Sequence, residues 1–420
     1  MRKLVFISFV FLLFFSETKA YLPYYDIKAK VITGGILKHT KHLENTVKGP
    51  TLGLEVAVEF LPQGKYDWEK YWNYPIVGVG FLGMDLGNTK VFGQAFAVYP
   101  YLLVPIVRQE HFLFNFKVGA GIAVLTKTWY HCDTQSGVNA PTANAAIGSH
   151  LNVFLPIGFT FDFPIKKGFM VTSDLMLNHI SNGSFIQPNS GLNIINGFVG
   201  VAYRPNWREY MFPWNDYIKP REKNYQLELA MGGGARQLYY KDKKFYGVAS
   251  ARFSFYKMLT NFYKIGASVD AFYDGVFVNQ GEAGGNYHTT YKRYSIAENK
   301  TKNKFRVGLS LANEFEIGRV TAGIHWGFYV FDPIRNAYKL GTNPKYEKKG
   351  YPHRPFLYSY NIEKEDGWNY FRLLLKCKIV DNFFVSASLK THLQKAEFFD
   401  IGFGYTFQFK NKRASYATLY

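Results

Sequence analysis

His179-Ile180-Ser181-Asn182 places an imidazole and a hydroxyl two residues apart, at the end of a strand-like run. A serine hydroxyl is a weak nucleophile until a base takes its proton, and histidine is the common base. In an extended strand residues i and i+2 share a face, so His179 and Ser181 point the same way. Behind them on that face stand Leu177, Leu175, Ser173 and Val171, while Thr172, Asp174, Met176 and Asn178 occupy the other. The pair thus continues the more apolar face, which meets lipid if the strand belongs to a membrane barrel. A second reading stands beside the catalytic one. Asn182-Gly183 and Pro188-Asn189-Ser190-Gly191 are turn signals, and an interfacial histidine with a turn serine would account for the same residues.

The elements around this segment alternate with period two. From Phe399 to Phe409 every odd position is large and apolar and every even one small or polar. Leu52, Leu54, Val56, Val58 and Phe60 alternate with Thr51, Gly53, Glu55, Ala57 and Glu59. Apolar outside with polar or glycine inside is the pattern of a transmembrane antiparallel β-barrel, and aromatic residues at 19% reinforce it. Such runs number about 16, starting near residues 25, 50, 74, 91, 110, 151, 168, 193, 225, 245, 261, 304, 319, 367, 382 and 398. They predict one closed all-β barrel over 21–409, with a range of about 12 to 16 strands and no internal domain boundary. Both termini fall on the periplasmic side, the long connections 125–150, 276–303 and 332–366 face out, and 62–73 and 205–223 form small periplasmic elements. Glu55, Glu59, Asp174 and His325 point into the lumen.

Residues 1–20 read as a secretory signal peptide: Arg2 and Lys3, an apolar stretch from Leu4 to Phe15, then Thr18-Lys19-Ala20. Cleavage lowers the net charge from +19 to +17, because Arg2, Lys3 and Lys19 leave with Glu17. So basic an exported surface suits phosphate-bearing lipid, and export argues against nucleic acid. Residues 410–420 form a short polar tail. Cys132 and Cys377 fall at opposite ends of the expected barrel, beyond disulfide reach, and His131-Cys132-Asp133 lacks metal-site spacing.

At His179–Asn182, with Pro188-Asn189 and Gly191 following, the chain resembles the outer-membrane lipid A 3-O-deacylases and the related bacterial acyloxyacyl hydrolases. The likeness is specific over the motif and extends over 31–205; beyond it the chain resembles the longer, Bacteroidota-like barrels of that family, as do Ala145–Asn152 and Lys390–His392. The resemblance implies a serine esterase of the bacterial outer membrane acting on lipid A of lipopolysaccharide, without metal or organic cofactor. Ser181 would be the nucleophile and His179 the base, with Asn182 and Asn189 as oxyanion or positioning groups. The family's orienting glutamate falls fourteen residues after the histidine, where this chain has Asn193. An amide oxygen can hold the imidazole tautomer but carries no charge to stabilise imidazolium. Three outcomes stay open: a Ser181–His179–Asn193 triad, an acid supplied by a loop, or a barrel without activity. The alternative function is a non-catalytic barrel, porin-like or structural.

Overall fold

The computed structural model describes residues 24–131, 143–208, 224–238, 244–278, 300–333, 367–392 and 395–409. The expected leader, Cys132, the tail and most of the longest loops lie outside these. Nearly everything described is antiparallel strand. The first half carries β1 (Tyr25–Ile36), β2 (Thr51–Phe60), β3 (Ile76–Asp85), β4 (Gln94–Gln109), β5 (Phe112–Gly119), β6 (Gly121–Leu125), β7 (Leu151–Lys166), β8 (Phe169–Ser181) and β9 (Leu192–Tyr203). The second carries β10 (Tyr225–Gln237), β11 (Phe245–Met258), β12 (Tyr263–Asp274), β13 (Phe305–Ile317), β14 (Val320–Phe331), β15 (Asn369–Val380), β16 (Phe383–His392) and β17 (Lys395–Phe409). Two short helices join them: α1 (Lys41–Thr46) between β1 and β2, and α2 (Asp67–Tyr71) within the expected 62–73 element.

The strand positions follow the alternation, but the closure does not. β9 pairs back onto β1 from Ile27↔Tyr203 to Ile36↔Ile194, so the first half closes on itself. β5 and β6 are one strand broken at Ala120; both pair with β4 on one side and β7 on the other. β10 pairs with β17 and closes a second ring of eight strands. One barrel of about 16 strands is therefore replaced by two smaller rings.

The interiors give the physical reason. Eight strands leave a lumen just wide enough for side chains to fill. In the first ring Lys28 crosses to Asp162 (2.9 Å) and Glu59 (3.1 Å), and Lys30 crosses to Asp174 (2.7 Å). Lys117 joins Asp174 at 3.1 Å and Glu55 at 3.5 Å. Tyr99 and Tyr101 donate to Glu55 and Glu59. In the second ring Lys376 bridges Glu228 (2.7 Å) and Glu314 (2.5 Å), with Arg252 on Glu228 at 2.9 Å. His325 lies buried against Glu314 at 3.1 Å. Neighbouring-strand pairs such as Arg252–Glu228 would survive in a wider barrel, but Lys28–Asp162, Lys30–Asp174 and Lys376–Glu228 join strands that are not neighbours and need a narrow lumen.

The outer faces are apolar: Leu54, Val56 and Val201 on the first ring and Phe253, Phe255 and Phe403 on the second are all exposed. This is a transmembrane β-barrel protein, with the apolar band turned to lipid. At the short-turn end the rings touch through Trp72, whose ring lies 4.6 Å from that of Phe262 and whose Nε1 donates to the Glu316 carbonyl (2.8 Å). At the long-loop end the first ring is capped by a buried cluster including Leu43, Leu86, Phe92, Ala146, Ile147, Ile180 and Leu192. That cap carries the site.

Candidate active site

β8 and β9 deliver the reactive side chains in register. His179 is paired with Asn193 across the two strands. The His179 ring lies between its two partners: Nδ1 is 2.7 Å from Asn193 Oδ1, and Nε2 is 2.9 Å from Ser181 Oγ. The direction of each bond follows from the groups. Asn193 Oδ1 can only accept, so Nδ1 carries the proton and Nε2 presents a lone pair to the Ser181 hydroxyl. That is the tautomer a general base needs.

The strand parity holds, with an addition the alternation did not contain. His179 and Ser181 do share the outward face with Val171, Leu175 and Leu177. Yet Ser181 is only 5% exposed, because the β8–β9 loop folds back over it. Gly191 makes this possible: its φ is +73°, and a Cβ there would come within 3.0 Å of His179 Cε1 and 3.4 Å of Ser181 Cβ. A side chain at 191 would push the imidazole off the serine.

The two expected oxyanion groups separate. Asn182 is fully engaged in shaping the loop. Its Nδ2 donates to the Ile186 carbonyl and to Ser149 Oγ (both 2.9 Å), and its Oδ1 accepts from the Ile186 amide (3.3 Å). Its backbone amide donates to Asn189 Oδ1 (3.0 Å). Asn189 is thereby fixed next to the residue that follows Ser181, while its Nδ2 has no partner among the described residues.

The loop is held from several sides. Gly191 donates its amide to the Ala146 carbonyl (3.1 Å), and Ser190 Oγ donates to the Ala145 carbonyl (3.3 Å). Ser190 Oγ also faces His42 Nε2 at 3.1 Å, and Thr40 Oγ1 meets His42 Nδ1 at 2.9 Å. Burial holds His42 well below its ordinary pKa, at about 4, with the neighbouring His39 adding to the effect. Sequence reasoning passed over His42, 137 positions from His179 and in no motif, and met Ser190 only within a turn signal and Ala146 only within the Ala145–Asn152 stretch, without a role at the site. His150 takes no part: its Nδ1 faces the Leu125 carbonyl (2.6 Å). Asn152 donates to the Ser149 carbonyl (2.7 Å). Glu55, Glu59 and Asp174 lie in the lumen, already paired, and none replaces the missing acid. Cys377, on β15, is a free thiol.

Two family models match the chain in succession. The model for "Lipid A 3-O-deacylase (PagL)" matches residues 52–202, within the first ring, and "Acyloxyacyl hydrolase, C-terminal domain" matches 225–351 and 357–411, across the second. The chain belongs to this family. Both members of the His179–Ser181 pair, and Asn193, fall inside the deacylase match, so the family's second part corresponds to the ring that carries none of them. Among solved structures, the outer-membrane enzyme PagL aligns at 16% identity, over 42% of this chain and 97% of its own, with a TM-score of 0.27. A mutant porin of Rhodopseudomonas blastica aligns at 9% identity over 91% of this chain and 99% of its own, with a TM-score of 0.18. No curated protein matches the chain.

Proposed function

We propose that this protein is a serine esterase of the bacterial outer membrane that removes an ester-linked acyl chain from lipid A. The observation that carries the reading is the unbroken line Ser181–His179–Asn193, with contacts of 2.9 and 2.7 Å. Its place on the apolar outer face, at the rim of the first ring, suits an ester lying at the head of an acyl chain.

In this mechanism His179 Nε2 takes the proton as Ser181 Oγ attacks the ester carbonyl. The Asn193 carbonyl keeps Nδ1 protonated and the ring aligned throughout. Oxyanion charge on the tetrahedral intermediate is met by Asn189 Nδ2; preorganised donors of this kind contribute roughly 3–4 kcal/mol each. Collapse breaks the bond to the sugar oxygen, which leaves with the proton held on His179. Water, activated by the same imidazole, then releases the fatty acid from Ser181. No step needs a metal or organic cofactor. The porin-like alternative has less support, since Lys28, Lys30 and Lys117 in the first lumen and Arg252 and Lys376 in the second are buried and held in ion pairs.

Mass spectrometry of lipid A from cells making the wild type, Ser181→Ala or His179→Ala tests the reading. Loss of one acyl mass with the wild type alone is expected. Identical lipid A from all three, with each barrel inserted, rules it out.

A further inference from the structure

The chemistry above draws every reactive group from the first ring, yet the loop closing over it is held by the second. Gln237, the last residue of β10, is buried and reaches that loop twice directly and once through Tyr130. Its Oε1 accepts from the Gln187 amide (2.9 Å), and its own amide donates to the Phe185 carbonyl (3.1 Å). Its side chain is also hydrogen-bonded to the Tyr130 hydroxyl, which donates to the Gln187 carbonyl (3.3 Å). The loop backbone is thus gripped at Phe185 and Gln187, two residues before Asn189.

Packing reinforces the grip. The Phe185 ring lies 5.1 Å from that of Phe245, at the start of β11. Gly183, with φ +63°, sits so close to the second ring that a Cβ would come within 3.1 Å of Phe399 and 3.4 Å of Leu389. In a single-ring protein with the same motif, the Gln187 amide would have to find another acceptor.

We propose that the second ring is a working part of the site and that Gln237 is a positioning residue, fixing the loop so that Asn189 presents its Nδ2 to the reacting ester. The proposal rests on the esterase reading above. Among the described residues Asn189 is anchored directly only through Oδ1, so the backbone on either side of it must set where Nδ2 points. Gly191 and Ser190 tie the far side to the first ring, and Gln237 ties the near side to the second. Misplacing a catalytic group by about 1 Å can cost on the order of a hundredfold in rate.

The test uses the full-length protein in vesicles containing lipid A, with fatty-acid release as one readout and amide hydrogen exchange over 182–191 as the other. Gln237→Ala should lower kcat by roughly tenfold to a hundredfold with KM changed less than about twofold, since the change leaves the apolar outer face of the first ring untouched. The loop should exchange faster while β8 and β9 keep their protection, which separates displacement of the loop from failure to fold. Gln237→Glu retains an acceptor for the Gln187 amide and should fall between the two. Wild-type kcat in Gln237→Ala, a rise in KM without a fall in kcat, or unchanged loop exchange overturns the proposal. If the wild type itself releases no fatty acid although the loop responds, the esterase reading fails, and the catalytic role of Gln237 with it.

Discussion

Asn193→Asp exchanges one amide nitrogen for oxygen and leaves every other heavy atom of the side chain in place. The retained oxygen stays 2.7 Å from His179 Nδ1, so the change adds a charge opposite the imidazolium that forms when Ser181 gives up its proton. Charge centres about 4 Å apart interact by about 4 kcal/mol at an effective dielectric of about 20. Asn193 is only half-buried, so solvent screening and the cost of desolvating the new carboxylate reduce that figure. A net 1.5–3 kcal/mol is a reasonable order of magnitude, which is roughly tenfold to a hundredfold in kcat. Asn193→Ala works in the opposite direction, leaving the tautomer unguided and costing roughly one to three orders of magnitude. Burst and steady-state release of fatty acid from lipid A vesicles, with wild type and both variants side by side, separate acylation from product release. If both variants stay within about twofold of the wild type, the Asn193–His179 contact plays no part in the reaction.

Lys117→Met removes a cation from the packed first lumen and leaves Asp174 and Glu55 sharing Lys30. Breaking such a buried group should cost about 3–5 kcal/mol, read as a lower midpoint in urea unfolding, and an unchanged midpoint would show the network to be energetically idle. His42 is neutral in the folded protein, its pKa lowered from 6.5 to about 4, so the unfolded chain binds the extra proton between those values. The stability it supports is therefore complete above about pH 6.5 and is lost as pH falls toward 4. Exchange at α1 should accelerate over that window in the wild type and not in His42→Gln; equal pH dependence in both would refute the assignment.

The alternation of residues settled the element type and almost every strand position, because an extended chain with one wet and one oily face can be written in few ways. It placed Glu55, Glu59 and Asp174 in the lumen and His179 with Ser181 outside. The place of Asn193, fourteen residues after His179, came only from the family resemblance; the loop over 182–191 is too long for alternation to set the register that puts the two opposite each other. Alternation reports which face a residue takes and says nothing about which strand it pairs with. Sixteen alternating runs suit one wide ring or two narrow ones equally well. Only the lumen decided: two lysines on β1, Lys28 and Lys30, reaching aspartates on β7 and β8 need walls close enough to bridge. The same limit applied at the site. Asn182 and Asn189 look alike in a turn-forming stretch, and their separate roles depend on where Ser149 and Ile186 come to lie. The cover over Ser181, and the hold of Gln237 on that cover, exist because two rings fold side by side and bring position 237 against position 187, a contact between distant residues that no local pattern encodes.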